Sequence, residues 1–470
     1  MVEEIIKTGN QGFWSSLREA LSGSERDFTS GSLRQAIFLL SVPMVLEMFM
    51  ESVFAIVDIY FVGKLGANAV AVVGLTESLL ALIYAVAVGL SIGATATVAR
   101  RIGEKDNAGA AKSAVHVILL GIIVSIVLGI VGVIFAADFL RLLGAEEEVV
   151  AEGTNFVRIM LGGNCVIVFL FLLNAIFRGA GDAAIAMRVL TFANILNIIF
   201  APIFIFGFWF IPAFGVTGAA IATVLGRGIG VLYAAFRLWR GDKRLVITRE
   251  SLTIDFSLLW QLIKLSSSAV LQYTISTASW IGLVRIVSGF GSEALAGYTI
   301  GLRVIIFALL PSLGMSNAAA TLVGQNLGAG KPERAEQAVW LTGIYNALFL
   351  TGVGVLFFIF ATPIIGLFTD DAAVLNYGVN CLRIVSCGFL FYGFGMVFEQ
   401  SFNGAGDTFT PTMINLFVFW LFEIPLAYVL ANYFGFGTNG VFLAITIAFS
   451  TLAIVTGFFF RHGKWKLRKV

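Results

Sequence analysis

The stretch Ser41 to Leu65, SVPMVLEMFMESVFAIVDIYFVGKL, decides how this chain is read, because a run with the apolarity of a membrane span carries Glu47, Glu51 and Asp58. At about 3.6 residues per turn, Glu51 lies roughly 40° and Asp58 roughly 20° around the helix from Glu47, so the three acids share one face. An ionised carboxylate at the bilayer centre costs about 2.5 kcal/mol or more, which keeps that face away from lipid. The acidic stripe is therefore expected to line a wet cavity or to meet partners inside a bundle, and each acid on it is a functional candidate.

The surrounding chain fits a membrane protein. Of 470 residues 59% are hydrophobic and 12% charged, with a mean hydropathy of +0.94. Runs of about 20 apolar residues recur, the signature of spanning helices rather than of a barrel. A formal net charge of +2 suggests no nucleic-acid partner. Cys165, Cys381 and Cys387 sit in apolar segments and read as small hydrophobes. The only histidines, His116 and His462, belong to no zinc or nucleophile-base motif, which leaves an enzyme little to work with. Met1 to Ser32 lacks a signal-peptide pattern. Within it Phe13, Trp14, Leu17 and Leu21 follow helical spacing, compatible with a helix on the membrane surface or with a disordered tail.

Apolar runs between breakers predict an all-α integral membrane fold of twelve spans, near 34–63, 68–99, 112–137, 150–177, 184–206, 215–239, 257–289, 293–323, 335–361, 373–402, 409–433 and 438–460. The charged stretch Gly241 to Asp255 separates two halves. The expected organisation is an N-terminal segment 1–32, a first lobe 33–240, a linker 241–255, a second lobe 256–461 and a basic tail 462–470. Lys and Arg gather in alternate connections, among them Arg100, Arg101, Lys105, Arg178, Lys331 and Arg334, so both termini and the linker are expected in the cytoplasm of a plasma (inner) membrane protein.

The halves are copies of one another. Phe290 to Ala296, FGSEALA, aligns with Leu65 to Ala71, LGANAVA, at an offset of 225. The same offset pairs Gly103 with Gly328, Arg158 with Arg383, and Arg178-Gly-Ala-Gly-Asp182 with Asn403-Gly-Ala-Gly-Asp407. Repeats with an even number of spans enter the membrane in the same sense, which implies a pseudo-twofold axis along the membrane normal and a substrate site between the lobes.

Asp58-Ile-Tyr-Phe-Val-Gly-Lys-Leu-Gly66, Val323-Gly-Gln-Asn-Leu-Gly-Ala-Gly-Lys331, the paired Gly-Ala-Gly-Asp turns and Ile424-Pro-Leu-Ala-Tyr428 together resemble the multidrug and toxic compound extrusion (MATE) family, in its DNA-damage-inducible-like (DinF-type) branch. The resemblance runs from Gly31 to about Phe460. It implies an antiporter that exports amphipathic, often cationic compounds in exchange for protons or sodium ions by alternating access of two lobes. Membrane lipids and small amphipathic substrates are then the partners, a monomer is expected, and the only cofactor-like species is the coupling ion. The family's coupling acid falls on Asp58 and an asparagine of its fifth span on Asn197. Where related members carry Asp before the span-five proline, this chain has Ala201 ahead of Pro202.

The offset separates shared scaffold from one-sided function. Glu47, Glu51 and Asp58 fall on Gln272, Ser276 and Leu283, so the stripe belongs to the first lobe alone. Asp58, Glu51, Glu47, Asn197 and Glu77 are accordingly the ion-coupling candidates, with a sodium ion at Asp58 and Asn197 as the alternative to a proton. Without the second aspartate the proton is favoured, because a hard cation needs several oxygens at once. In the second lobe Glu399, Glu423 and Arg303 are unmatched, and with Asn174, the partner of Glu399, they are the substrate-binding candidates; an ion pair of Arg303 with either acid is the structural alternative. Asp182 and Asp407 read as helix N-caps. A flippase for lipid-linked sugars is the nearest rival, disfavoured by an acidic rather than basic first lobe; a channel and an intramembrane enzyme are more distant ones.

Overall fold

The computed structural model describes residues 13–24, 26–241, 244–468 and 470. Residues 1–12 of the N-terminal segment, Asp242 and Lys243 of the linker and Lys469 of the tail lie outside them. Among the described residues the chain is helical throughout, apart from connections and one isolated bridge between Phe208 and Ile211. Ten spans are single long helices: span one Leu33–Gly63, two Ala67–Gly103, three Asn107–Ile134, five Ala183–Phe206, six Val216–Arg240, seven Phe256–Ser288, eight Ser292–Gly328, nine Pro332–Gly366, eleven Phe409–Tyr433 and twelve Thr438–Arg461. Span four, Glu147–Ala180, is interrupted at Gly163, and span ten is a pair of helices, Ala372–Ser386 and Phe389–Gly404, bent by 60°.

These interruptions fall on the repeat. Gly163 and Gly388 are 225 residues apart, and so are Gly66 and Gly291 (φ 106° and 107°) and Gly181 and Gly406 (φ 87° and 80°). Only a residue without a Cβ enters that left-handed region at no steric cost, so the same turns are written into both halves. Aspartates start several spans: Asp106 accepts from the backbone N–H of Gly109 at 2.8 Å, Asp182 from Ile185 at 3.2 Å, and Asp371 from Ala373 at 2.8 Å. Asp255 caps span seven in the same way while Lys112 Nζ lies 2.9 Å away, and that hydrogen bond together with the cap holds its carboxyl below the usual carboxylate range. Asp407 departs from the expected cap: its carboxylate takes Thr410 Oγ1 at 2.8 Å and the guanidinium of Arg468 at 3.0 Å, because the tail folds back over span eleven.

Each lobe has its own core. Leu80, Val117, Val157, Leu172 and Val189 belong to one, Tyr298, Leu350, Leu382, Phe389 and Phe442 to the other. The lobes meet where span one packs on span eight and span two on spans seven and eight. Small residues make that approach possible. A Cβ added to Gly314 would come 2.6 Å from the Met44 carbonyl oxygen, and one added to Gly103 would come 2.0 Å from that of Gln325.

The end of the bundle that carries both termini is sealed by hydrogen bonds between the lobes. Gln325 Nε2 donates to the Gly179 carbonyl at 3.0 Å, and Arg100 donates to the Arg468 carbonyl at 2.7 Å. The segment before span one lies across this end. Lys331 Nζ donates to the Thr29 carbonyl at 2.8 Å, and Arg334 to those of Ser30 and Gly31 at 2.9 and 3.0 Å. Arg244 holds the Arg26 carbonyl and covers the Phe28 ring. Phe13–Ser22 forms a short helix whose Phe13 and Trp14 are exposed, with the Phe13 ring edge-on to Phe38 of span one.

Candidate functional site

A cavity of about 400 Å³ lies between the lobes. Trp280, Tyr392, Phe419 and Phe449 give it an aromatic wall on the second-lobe side, and Glu47, Glu51 and Glu399 are its acids. The stripe read from the sequence thus reaches the cavity at Glu47 and Glu51. Asp58 is not among the lining residues.

Each cavity acid is held differently. Glu47 accepts from Arg178 Nη1 at 2.8 Å and Asn174 Nδ2 at 3.1 Å. Glu51 accepts from Arg227 Nη2 at 2.6 Å. Among the described residues Glu399 has no cation beside it and accepts only from amides, Gln272 Nε2 at 2.6 Å and Asn415 Nδ2 at 2.7 Å. Asn415 is steadied in turn by Ser276 Oγ at 3.0 Å. The offset of 225 pairs Glu47 with Gln272 and Asn174 with Glu399. Both lobes therefore keep an acid-to-amide bond between equivalent spans, with the acid on span one in the first lobe and on span ten in the second. The position equivalent to Arg178 is Asn403, and Glu399 accordingly lacks the cation that neutralises Glu47.

Behind the Glu51 wall stands Arg227 of span six, which the sequence reading passed over. Its side chain is 1% exposed. Its Nη1 donates to Tyr84 Oη at 3.3 Å, and its guanidinium lies 4.4 Å from the Phe54 ring centroid. A lone charge in the middle of an apolar span is the signal that singled out Glu47, and applied to span six it points to Arg227. Asp58 lies within electrostatic reach of Arg227 and Glu77, and its Oδ1 is buried without a hydrogen-bond partner. Asn197 turns its amide to Thr223 Oγ1 at 3.1 Å rather than to Asp58, because spans five and six pack closely here: a Cβ on Gly226 would come 2.9 Å from the Asn197 backbone nitrogen.

The remaining candidates are dispersed. Glu77 is exposed on span two, within electrostatic reach of Arg303, itself exposed on span eight. Among the described residues Arg303 forms no ion pair, which corrects the expected pairing with Glu399 or Glu423: Arg303 is on the surface of span eight, whereas Glu423 is buried. Glu423 does not line the cavity either. It sits at 1% exposure at the end of a π-helical stretch of span eleven, Leu416–Glu423, with Oε1 unpartnered. Among the described residues no group of His, Cys, Asp and Glu is arranged to hold a metal ion.

A family profile described as MatE matches residues 43–203 and 268–429. The probable multidrug resistance protein NorM of Thermotoga maritima is 26% identical over 441 residues, 93% of this chain and 94% of that protein. An FAD transporter of Shewanella oneidensis is 27% identical over 89% of this chain and 92% of its own length. Among solved structures, the outward-facing conformation of a multidrug resistance MATE family transporter of the MOP superfamily superposes with a TM-score of 0.87, at 28% identity, covering 93% of this chain and 96% of that one. Twelve spans in two repeated lobes, a cavity between them and a profile match across both halves make this chain a member of the MatE, or multidrug and toxic compound extrusion, family of membrane transporters.

Proposed function

We propose that the chain is a proton-coupled antiporter of the plasma membrane that exports amphipathic cations by alternating access, with the termini-bearing end in the cytoplasm. The observation that carries the substrate class is Glu399, a carboxylate on the wall of an aromatic cavity held only by neutral amides, where Glu47 and Glu51 each have an arginine. A cation entering beside Tyr392 and Phe419 supplies the charge that Gln272 and Asn415 cannot, and the aromatic faces add cation-π attraction. An anionic cargo such as the FAD carried by the Shewanella oneidensis relative would meet that unbalanced acid without a free arginine facing it.

Proton coupling is supported by Asp58. Its buried Oδ1 has no donor, and with Ala201 in place of a second acid there is one carboxylate fewer to attract sodium. One carboxyl that exchanges a proton needs no second acid. The basic residues at the termini-bearing end support the orientation.

The test is efflux by the purified protein in lipid vesicles, with ethidium as the cationic probe. An imposed proton gradient is expected to drive transport by the wild type and not by Asp58→Asn, whose side chain has nearly the same volume. Ethidium transport driven by a sodium gradient with the proton gradient collapsed would refute the proton assignment.

A further inference from the structure

The first lobe contains a cation of its own, fixed to the chain. We infer that Arg227 is a specificity-determining residue of the proposed coupling site: its guanidinium, ion-paired with Glu51, supplies the positive charge that a bound metal ion would otherwise bring to the first-lobe acids, and so keeps sodium out. The inference rests on the antiport reading above, but concerns ion selectivity and is tested without transport.

Three features of the geometry support it. Arg227 is buried against Glu51 at 2.6 Å and Tyr84 at 3.3 Å, with Phe54 beneath its guanidinium. Its position is rigidly set, because the preceding Gly226 lies directly on the backbone of Asn197. In the same lobe Glu51 Oε2, Asp58 Oδ1 and Asn197 Oδ1 are buried without a donor, with Asp58 within electrostatic reach of Arg227. Those are hard oxygen acceptors of the kind sodium needs, two of them carrying negative charge. What stands between such a set and a bound cation is the like charge already present, which repels a second positive ion. A tethered guanidinium is never diluted away, so the exclusion holds at any sodium concentration the cell presents.

Arg227 also explains why loss of the second acid at Ala201 is tolerated electrostatically. With Arg227 paired to Glu51, Asp58 and the exposed Glu77 form no ion pair among the described residues. A proton on Asp58 then changes the local charge by one unit without any ion having to be desolvated.

The test is thermal unfolding of the purified full-length protein in detergent, comparing sodium chloride with choline chloride at equal ionic strength. Wild type is expected to show no sodium-specific shift. Arg227→Gln, which keeps hydrogen-bonding atoms but removes the charge, is expected to gain a sodium-specific rise in midpoint of about 2 °C or more, by mass action on the folded state. Adding Asp58→Asn should abolish the gain, and Arg227→Lys, which retains the charge, should not show it. Should Arg227→Gln not fold, the charge-balanced pair Glu51→Gln with Arg227→Gln takes its place, with a smaller sodium-specific rise expected. Absence of that rise in whichever variant folds overturns the inference, as does a sodium-specific rise of the same size in wild type. Failure of proton-driven efflux in vesicles would count against the antiport reading and leave this result standing by itself.

Discussion

Asn174 and Glu399 occupy equivalent positions in the two repeats, 225 residues apart, and exchange chemical roles: Asn174 donates to the span-one acid Glu47, whereas Glu399 accepts from the span-seven amide Gln272. The bond is kept, while the charge sits on span one in the first lobe and on span ten in the second. Since Glu47 and Glu51 each have an arginine and Glu399 has none, the cavity is electrically lopsided.

That lopsidedness predicts the outcome of Glu399→Gln. A hydrogen-bonded or paired charge is worth about 1.5–3 kcal/mol, so affinity for a cationic dye should fall about 10- to 100-fold while a neutral amphipathic compound binds as before. Fluorescence titration of the purified protein with both probes checks it, and an equal loss for the two would deny Glu399 a role in charge recognition.

The pair of Glu47 and Arg178 should behave as a unit of stability. Both side chains are buried, at 2% and 10% exposure, so Arg178→Gln alone leaves an uncompensated acid and should cost about 3–5 kcal/mol. The double replacement Glu47→Gln with Arg178→Gln should recover most of that loss. A double-mutant cycle on thermal inactivation in detergent measures the coupling; additive single effects would show that the ion pair contributes nothing.

Locking the lobes should stop transport. A Cβ built on Gly93 of span two lies 3.8 Å from that of Ser266 on span seven, the mean separation in a disulfide. With Cys165 and Cys387 replaced by serine, Gly93→Cys with Ser266→Cys should bridge under mild oxidation, abolish ethidium efflux and regain it on reduction. Full activity with the bridge verified by mass spectrometry would rule out relative movement of spans two and seven.

Much of this was legible from the chain alone, for identifiable reasons. Twelve spans follow from hydropathy because the bilayer sets their length, and the repeat follows from glycines such as Gly66, Gly181, Gly291 and Gly406, whose backbone conformation tolerates no other residue cheaply. The site was legible at Glu47 and Glu51, whose cost in lipid demands an inward face. It was not legible at Arg227, a single charge in span six that the search for intramembrane acids passed over. Nor could one-dimensional spacing place Arg303, Glu423 or Asp407. Which charges meet depends on helix rotation and on the path of the tail, and Arg468 reaches Asp407 only because the chain turns back after Arg461. The swapped acid and amide were hidden by the very comparison that revealed the repeat, since a position-by-position offset scores both as mismatches.

The hydrogen bonds from Lys331 and Arg334 to the backbone of Thr29, Ser30 and Gly31 join the stretch before span one to the opposite lobe. Three such bonds at about 0.5–1.5 kcal/mol each would disfavour any arrangement that breaks them by roughly one to three powers of ten. Because they end on carbonyl oxygens, no single side-chain exchange in the segment removes them. A movement that parts these residues must therefore break contacts with the backbone that no exchange of side chains at Thr29, Ser30 or Gly31 can tune.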